Sequence, residues 1–248
     1  MERADFTEAR MSVWDHLDEL RSTLIWSLSW WAGGTLFTAI FARRLFQWLL
    51  RPLHQVSADL TLHTFSPPEA FITYLKITLI GGFVLASPMV VFHLLQFVIP
   101  GLKPVEKKQV LPVVFSGFLL FAVGVLFAYY LVVPLALDFL WEFNQSWQLE
   151  PRWRLGYYLS FVMSLCLVFG AAFELPLVIT VLARIGLASP AFLRHQRKYV
   201  VVGLFAASAI ITPPDVITQV LLAVPMWLLY EISILMAWMV YPGDHASI

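Results

Sequence analysis

The stretch "FGAAFELPLV", residues 169–178, carries one carboxylate, Glu174, inside a long apolar run and two residues before Pro176. An ionised carboxylate at the centre of a bilayer costs roughly 2.5 to 3.5 kcal/mol on insertion scales. Two explanations follow. Either the run lies outside a membrane, or Glu174 lies within a membrane and faces something other than lipid.

Composition favours the second explanation. The chain has 248 residues, of which 60% are hydrophobic and 13% are charged, whereas roughly a quarter of the residues in soluble domains are charged. A soluble domain of this size has too small a core to bury so much apolar surface. The formal net charge is zero, which gives no reason to expect nucleic-acid binding. The single cysteine, Cys166, excludes an internal disulfide and a multi-cysteine metal site.

Six apolar runs predict an all-α membrane protein, since a spanning helix needs about 20 largely apolar residues. We expect a single domain over residues 1–248, with spans at residues 23–43, 75–99, 108–137, 155–183, 198–212 and 216–240. The fifth run is short, so spans five and six are expected to form a shallow hairpin that thins the bilayer locally. Prolines inside several spans favour kinks and a concave bundle, although prolines are also simply common in membrane helices.

Lysines and arginines in the connecting segments predict the orientation, because cytoplasmic segments carry an excess of these residues. If the N-terminus is inside, ten of them fall in cytoplasmic segments and six in outer segments. This bias predicts that both termini are cytoplasmic.

The sequence lacks the motifs that would indicate an enzyme. It contains no G-x-S-G, no H-E-x-x-H, no G-x-x-x-x-G-K-[ST] and no G-x-G-x-x-G. His93 is alone in the second span and is expected to be a hydrogen-bonded packing residue. We therefore expect no catalytic residue, no cofactor and no metal site. Any energy source would be an ion gradient or a partner protein.

Three carboxylates are candidates for function. Residues 1–22 are expected to form an amphipathic cytoplasmic helix, on which Glu19 shares a face with His16. In "PGLKPVEKKQ", residues 100–109, Pro104 is placed to open a helix with Glu106 in its first turn. An ordinary solvated face and an ordinary capped helix start are sufficient explanations of these two patterns. Glu174 is a stronger candidate, because a carboxylate deep in a span should face the bundle interior or a wet cavity. A structural hydrogen bond to a neighbouring helix is the alternative for Glu174.

Nine motifs, in this order and spacing, resemble the TatC family, the multi-spanning core and receptor subunit of the twin-arginine protein translocase. The resemblance runs from about Ser12 to Val240. The motifs are "HLDELR" (16–21), "RPL" (51–53), "SPPEAF" (66–71), "FVIPGLKPVEKK" (97–108), "FAYYLVVP" (127–134), "YLSFVMSL" (158–165), "FGAAFELP" (169–176), "RKYVVVG" (197–203) and "TPPDVITQ" (212–219).

The resemblance implies a receptor for twin-arginine signal peptides in the cytoplasmic membrane. Such a receptor helps to export folded proteins, and the proton gradient drives the export. The resemblance implies that Glu19 and Glu106 receive the two arginines, and that His16, Arg21 and Phe97 shape the same site. A guanidinium meets a carboxylate through two parallel hydrogen bonds, whereas lysine is a point charge. Two carboxylates would therefore distinguish an arginine pair from a lysine pair.

The resemblance also implies how the protein meets its partners. Glu174 would polarise a water-accessible groove within the membrane and offer a contact for a partner helix. Tyr129 and Gln219 match a polar cluster that docks single-span subunits of the TatA and TatB types. Asp215 would contribute to assembly, although capping the sixth span is an adequate structural role for it. An oligomer within the translocase is expected.

A secondary transporter of a small solute is the alternative function. That function predicts internal repeat symmetry and paired ionisable residues at the midplane of the membrane. Glu174 has no matching carboxylate in spans one to three, which counts against a transporter. An intramembrane protease is disfavoured because the sequence offers no nucleophile with a neighbouring base.

Overall fold

The computed structural model describes residues 13–57, 60–98, 107–149, 151–211 and 216–242, and these are almost entirely helical. Two strands of two residues, β1 (Leu62–His63) and β2 (Trp153–Arg154), pair in parallel between the helices. The helices are α1 (Val13–Leu49), α2 (Arg51–Val56), α3 (Glu69–Val98), α4 (Lys107–Phe127), a π-helical turn (Ala128–Val132), α5 (Val133–Ser146), α6 (Leu155–Phe173), α7 (Leu175–Arg184), α8 (Pro190–Ile211) and α9 (Val216–Val240).

The architecture confirms the predicted all-α membrane fold. Across the described ranges, five helical segments are long and apolar enough to cross a membrane. They are formed by α1 with α2, α3, α4 with α5, α6 with α7, and α9. The remaining long helix, α8, carries Arg194, Arg197 and Lys198 in its first turns, so only its second half is apolar. This agrees with the expectation of a short fifth apolar run.

The helices extend beyond the predicted spans. The expected amphipathic segment and the first span lie on one helix, because α1 continues without a break from Val13 to Leu49. No proline interrupts this stretch, and the next one is Pro52 in the first turn of α2. Residues 1–12 of the expected amphipathic helix lie outside the described residues. Helix α1 therefore ends close to Pro52 and not at residue 43, where the predicted first span ends.

Two of the prolines interrupt the regular helices. Pro134 has no N–H to donate to the carbonyl of Tyr130, and the chain forms a π-helical turn just before it, in which Val133 N–H bonds to Ala128 O. Pro176 lies in the first turn of α7, and the regular helix is broken between α6 and α7 at Glu174. The helices continue through Pro88, Pro112 and Pro225.

Close backbone contacts hold the bundle together. A Cβ atom added to Gly34 of α1 would lie 2.5 Å from Gly82 O of α3, and one added to Gly124 of α4 would lie 2.5 Å from Phe169 O of α6. Small residues allow such an approach in membranes, where packing between helices replaces the hydrophobic driving force. Helix α6 is central, since Leu159, Leu165 and Phe169 are fully buried.

The outward surface is strongly apolar. Side chains such as Ile210 and Met239 are 86% and 73% exposed, which is the pattern of helices that face lipid.

Glu69 closes one end of the bundle. It lies at the start of α3, six residues before the predicted span 75–99. One carboxylate oxygen accepts hydrogen bonds from Arg154 Nε and Gly156 N–H at 2.9 Å each, and the other accepts one from Phe65 N–H at 2.9 Å. The Arg154 guanidinium, together with the backbone N–H groups, lowers the pKa of Glu69 to about 2. Glu69 therefore joins the segment before α3 to the β2–α6 junction.

Candidate functional site

Glu19 on α1 has an incompletely satisfied carboxylate. The residue is half-buried, and its buried Oε2 atom has no hydrogen-bond partner among the residues that the structure describes. This surrounding differs from an ordinary solvated helix face, where water would satisfy both oxygens. An unpaired buried charge is costly, so this oxygen is disposed to accept a cationic ligand.

The packing of α1 against α3 indicates which end of α3 lies level with Glu19. The two helices are antiparallel, because Trp26 stacks on His93 with ring centroids 6.2 Å apart while Gly34 meets Gly82. Glu19 lies seven residues before Trp26, about 10 Å along the helix. Helix α3 ends five residues after His93, about 7.5 Å along its own axis. Glu19 and the end of α3 therefore lie at a similar level.

The other residues predicted for this site are only partly described. Glu106 lies outside the described residues, immediately before the start of α4 at Lys107. His16 and Phe97 lie in α1 and α3, but their side chains are outside the described part of the chain. Arg21 is exposed. The pairing of Glu19 with Glu106 accordingly stays a prediction.

His93 differs in one respect from its expected role. Its ring packs against Trp26 and Phe92, as a packing histidine should. The Nε2 atom, however, is buried without a hydrogen-bond partner in the described part of the chain, so the expected hydrogen bond is not found there on that side of the ring.

Glu174 lies at the break between α6 and α7 and turns toward α4. A Cβ atom added to Gly117 of α4 would lie 3.2 Å from Glu174 Oε2 and 3.3 Å from Leu177 Cδ2. The carboxylate therefore occupies a niche that exists because residue 117 has no side chain. Glu174 Oε1 is buried and has no hydrogen-bond partner within the described ranges, so the alternative of a structural hydrogen bond to a neighbouring helix finds no support there at this oxygen. No local sequence pattern marks Gly117 as the neighbour of Glu174.

The two polar residues predicted to dock partners both bond within the chain. Tyr129 is buried, its ring stacks on Trp48 at a centroid distance of 3.6 Å, and its hydroxyl donates to Trp48 O. Gln219 Nε2 donates to Phe205 O at 2.8 Å, which ties α9 to α8. Tyr129 is therefore held inside the chain, and its docking role stays a prediction. Asp215 lies outside the described residues.

An apolar groove lies close to Gln219 in sequence. It has a volume of about 510 Å³ and runs between the π-helical turn with α5 and the first half of α9. Leu131 and Leu135 form one wall, and Val220 and Val224 form the other. The sequence predicted a polar docking surface here, whereas the structure has an apolar groove. The side chains along one face of a partner helix could fill a groove of this size.

An ion pair between α8 and α9 was not anticipated from the sequence. Arg197 donates to Glu231 across the two helices. Tyr230, next to Glu231, donates from its hydroxyl to Leu193 O at 2.8 Å. In the residues that the structure describes, no group of His, Cys, Asp and Glu side chains is arranged to hold a metal ion.

The family model for Sec-independent protein translocase protein (TatC) matches residues 15–225. The chain belongs to the TatC family. A relative called Sec-independent protein translocase protein TatC, from Desulforapulum autotrophicum, is 40% identical over 94% of this chain and 84% of its own length. The TatC protein of Aquifex aeolicus is 41% identical over 90% of this chain and 93% of its own length.

A solved structure confirms the likeness of fold to the TatC family. A crystal structure described as the twin arginine translocase receptor TatC superposes with a TM-score of 0.84 at 40% identity. The superposition covers 91% of this chain and 99% of the solved chain. The protein is thus a TatC-family translocase subunit, which is a component of protein transport.

Proposed function

We propose that this protein binds twin-arginine signal peptides and nucleates the complex that exports folded proteins across the cytoplasmic membrane, driven by the proton gradient. Its membership of the TatC family supports the general role. The observation that supports the proposal is the buried oxygen of Glu19, which has no hydrogen-bond partner among the described residues. Glu19 lies on α1, level with the end of α3.

Arginine recognition follows from the chemistry of the two carboxylates. The guanidinium is planar, permanently charged and able to form two parallel hydrogen bonds with one carboxylate. Glu19 would receive one arginine and Glu106 the other. His16, Arg21 and Phe97 would border the site and orient the peptide. Lysine would satisfy these carboxylates less well, because its single ammonium group cannot form the paired contact.

Single-span subunits of the TatA and TatB types are the proposed membrane partners. Glu174 in its niche beside Gly117 would polarise the inside of the bundle and contact a partner helix. The groove between α5 and α9 would seat a second partner surface, and Gln219 and Asp215 would contribute to the same docking. Tyr129 would act indirectly, by fixing the chain around the π-helical turn against Trp48.

The proposed setting is the cytoplasmic membrane, with both termini in the cytoplasm and several copies within the translocase. This orientation puts Glu19 and the segment before α4 where a signal peptide first arrives. A transport component of this kind has no chemical reaction to catalyse.

Binding of a fluorescent signal peptide to the detergent-solubilised protein tests the proposal. We expect an Arg-Arg peptide to bind more tightly than a Lys-Lys peptide. The Glu19→Gln variant should weaken Arg-Arg binding by about 2 kcal/mol or more, the range for truncated buried charge pairs. The matched control is Asp18→Asn, since Asp18 is exposed on the same helix turn and its loss should leave binding unchanged. Equal binding of both peptides, with no effect of Glu19→Gln, contradicts the proposal.

A small-solute transporter is separated from a receptor by uptake into vesicles that contain only this protein. The receptor alone should move no solute. The described carboxylates do not favour a transporter, which would need a pair of ionisable residues at the midplane. Glu231 is already paired with Arg197, so it does not form such a pair with Glu174.

A further inference from the structure

A second groove opens between α1, α3 and α6, and neither Glu19 nor Glu174 lines it. Its volume is about 450 Å³. Apolar side chains form nearly all of its wall, including Phe37 and Trp48 on α1 and Met163 on α6. From the level of Phe37 to that of Leu49, the groove follows about 18 Å of α1.

Arg44 is the only charged side chain that lines this groove. Its guanidinium carbon lies 6.0 Å from the centre of the Phe41 ring, a cation–π contact that holds it at the wall. Within the described ranges, no carboxylate is within ion-pair distance of Arg44. The hydroxyl of Thr38, also in the wall, already donates to Gly34 O at 2.8 Å.

The depth of Arg44 suits a lipid headgroup. The uncharged run of α1 ends at Ala42, and Arg44 follows two residues later, about 3 Å along the helix. The guanidinium therefore lies just past the apolar run, at the height of lipid phosphates. Phe37 lies about 10 Å deeper, in the level of the acyl chains. The groove thus offers a cation partway along its length, with an apolar trough that runs from Arg44 toward Phe37.

We propose that this groove binds one anionic phospholipid, with its phosphate on Arg44 and an acyl chain between α1 and α3. A guanidinium meets a phosphate with paired, charge-assisted hydrogen bonds. A zwitterionic lipid would bring its own cation close to Arg44 and bind less well. The bound chain fills the space beside Val84 and holds the end of α1 against the bundle.

Native mass spectrometry of the detergent-purified protein tests this proposal, with phosphatidylglycerol and phosphatidylcholine of equal chain length as probes. The protein should retain phosphatidylglycerol severalfold better than phosphatidylcholine. Arg44→Gln should remove that preference, while Arg43→Gln should keep it, because Arg43 is exposed and does not line the groove. Val84→Phe should fill the trough and lower the retention of both lipids.

Three results would overturn the lipid site. An equal loss of the phosphatidylglycerol preference in Arg43→Gln and Arg44→Gln would show that the preference comes from diffuse surface charge. Displacement of the lipid by inorganic phosphate would make the site a simple anion site. Displacement by a signal peptide or by a synthetic single-span partner helix would assign the groove to a peptide.

Discussion

Three carboxylates on the described helices have different surroundings. Glu69 accepts three hydrogen bonds, whereas one oxygen of Glu19 and one of Glu174 are buried without a donor. A carboxylate that is fully bonded within the chain stabilises the fold. A carboxylate with a buried free oxygen costs folding energy and is the kind of group that a ligand or partner can satisfy.

The clearest prediction about a single residue concerns Gly117, because its lack of a side chain makes the niche for Glu174. Gly117→Ala puts a Cβ atom 3.2 Å from Glu174 Oε2, so the carboxylate must shift by a few tenths of an ångström. Gly117→Val must displace it further. Export of a folded reporter in cells should fall modestly for alanine and strongly for valine, while binding of the signal peptide is kept.

The matched control is the same pair of substitutions at Gly33, where an added Cβ atom meets nothing within 4 Å. Export should be normal for both control variants. Full export by Gly117→Val would mean that the position of Glu174 does not matter for transport.

At the scale of elements, Glu69 links the segment before α3 to the β2–α6 junction. Because its pKa is lowered to about 2, the ionised form stabilises the folded state at pH above the ordinary value of 4.5. That stabilisation is lost as the pH falls from 4.5 toward 2. Glu69→Gln should therefore lower the melting temperature at pH 7, and its difference from the unmodified protein should shrink as the pH approaches 3.

The control for this series is Glu142→Gln, since Glu142 is exposed in α5 and has no ion pair within the described part of the chain. Its melting temperature should follow that of the unmodified protein at each pH. A Glu69→Gln difference that is independent of pH would show that packing, and not charge, holds this junction.

The Arg197–Glu231 pair gives a second prediction about elements. Arg197→Glu puts two carboxylates between α8 and α9 and should lower both the melting temperature and export. The exchanged variant, Arg197→Glu with Glu231→Arg, should recover most of the loss, because the opposite charges face each other again. Failure of the exchanged variant to recover any stability would indicate that the pair contributes nothing through its charge.

The sequence predicts the elements better than it predicts their contacts. Apolar runs identify the helices, since about 20 apolar residues suffice to recognise a span. They do not identify the helix ends, because α1 continues from Val13 to Leu49 past both membrane boundaries. The π-helical turn before Pro134 depends on how the chain compensates for a missing N–H, which the position of a proline does not determine.

Contacts between distant residues explain most of what the sequence missed. Glu69 is bonded to residues 85 and 87 positions away, and Arg197 is 34 positions from Glu231. No local pattern marks such pairs. The same reason explains Tyr129, whose hydroxyl bonds to Trp48 O in the interior although its motif suggested a docking surface.

At the scale of the whole molecule, binding and transport should be separable. Glu19 belongs to the proposed peptide site at one end of α1, and Glu174 belongs to the niche against α4. Glu174→Gln should therefore bind an Arg-Arg peptide nearly normally and fail in export. Loss of peptide binding in Glu174→Gln would mean that Glu174 and Glu19 act in the same site, which would contradict the separation of binding from transport.

The measurement that tests the central claim most directly is a double-mutant cycle between the protein and the peptide. Binding free energies are measured for the unmodified protein and Glu19→Gln, each with the Arg-Arg peptide and with peptides in which either arginine is lysine. The account predicts a coupling of about 1.5 kcal/mol or more between Glu19 and one of the two arginines, and none with the other. Zero coupling with both arginines would contradict the account, because Glu19 would then not contact the arginine pair.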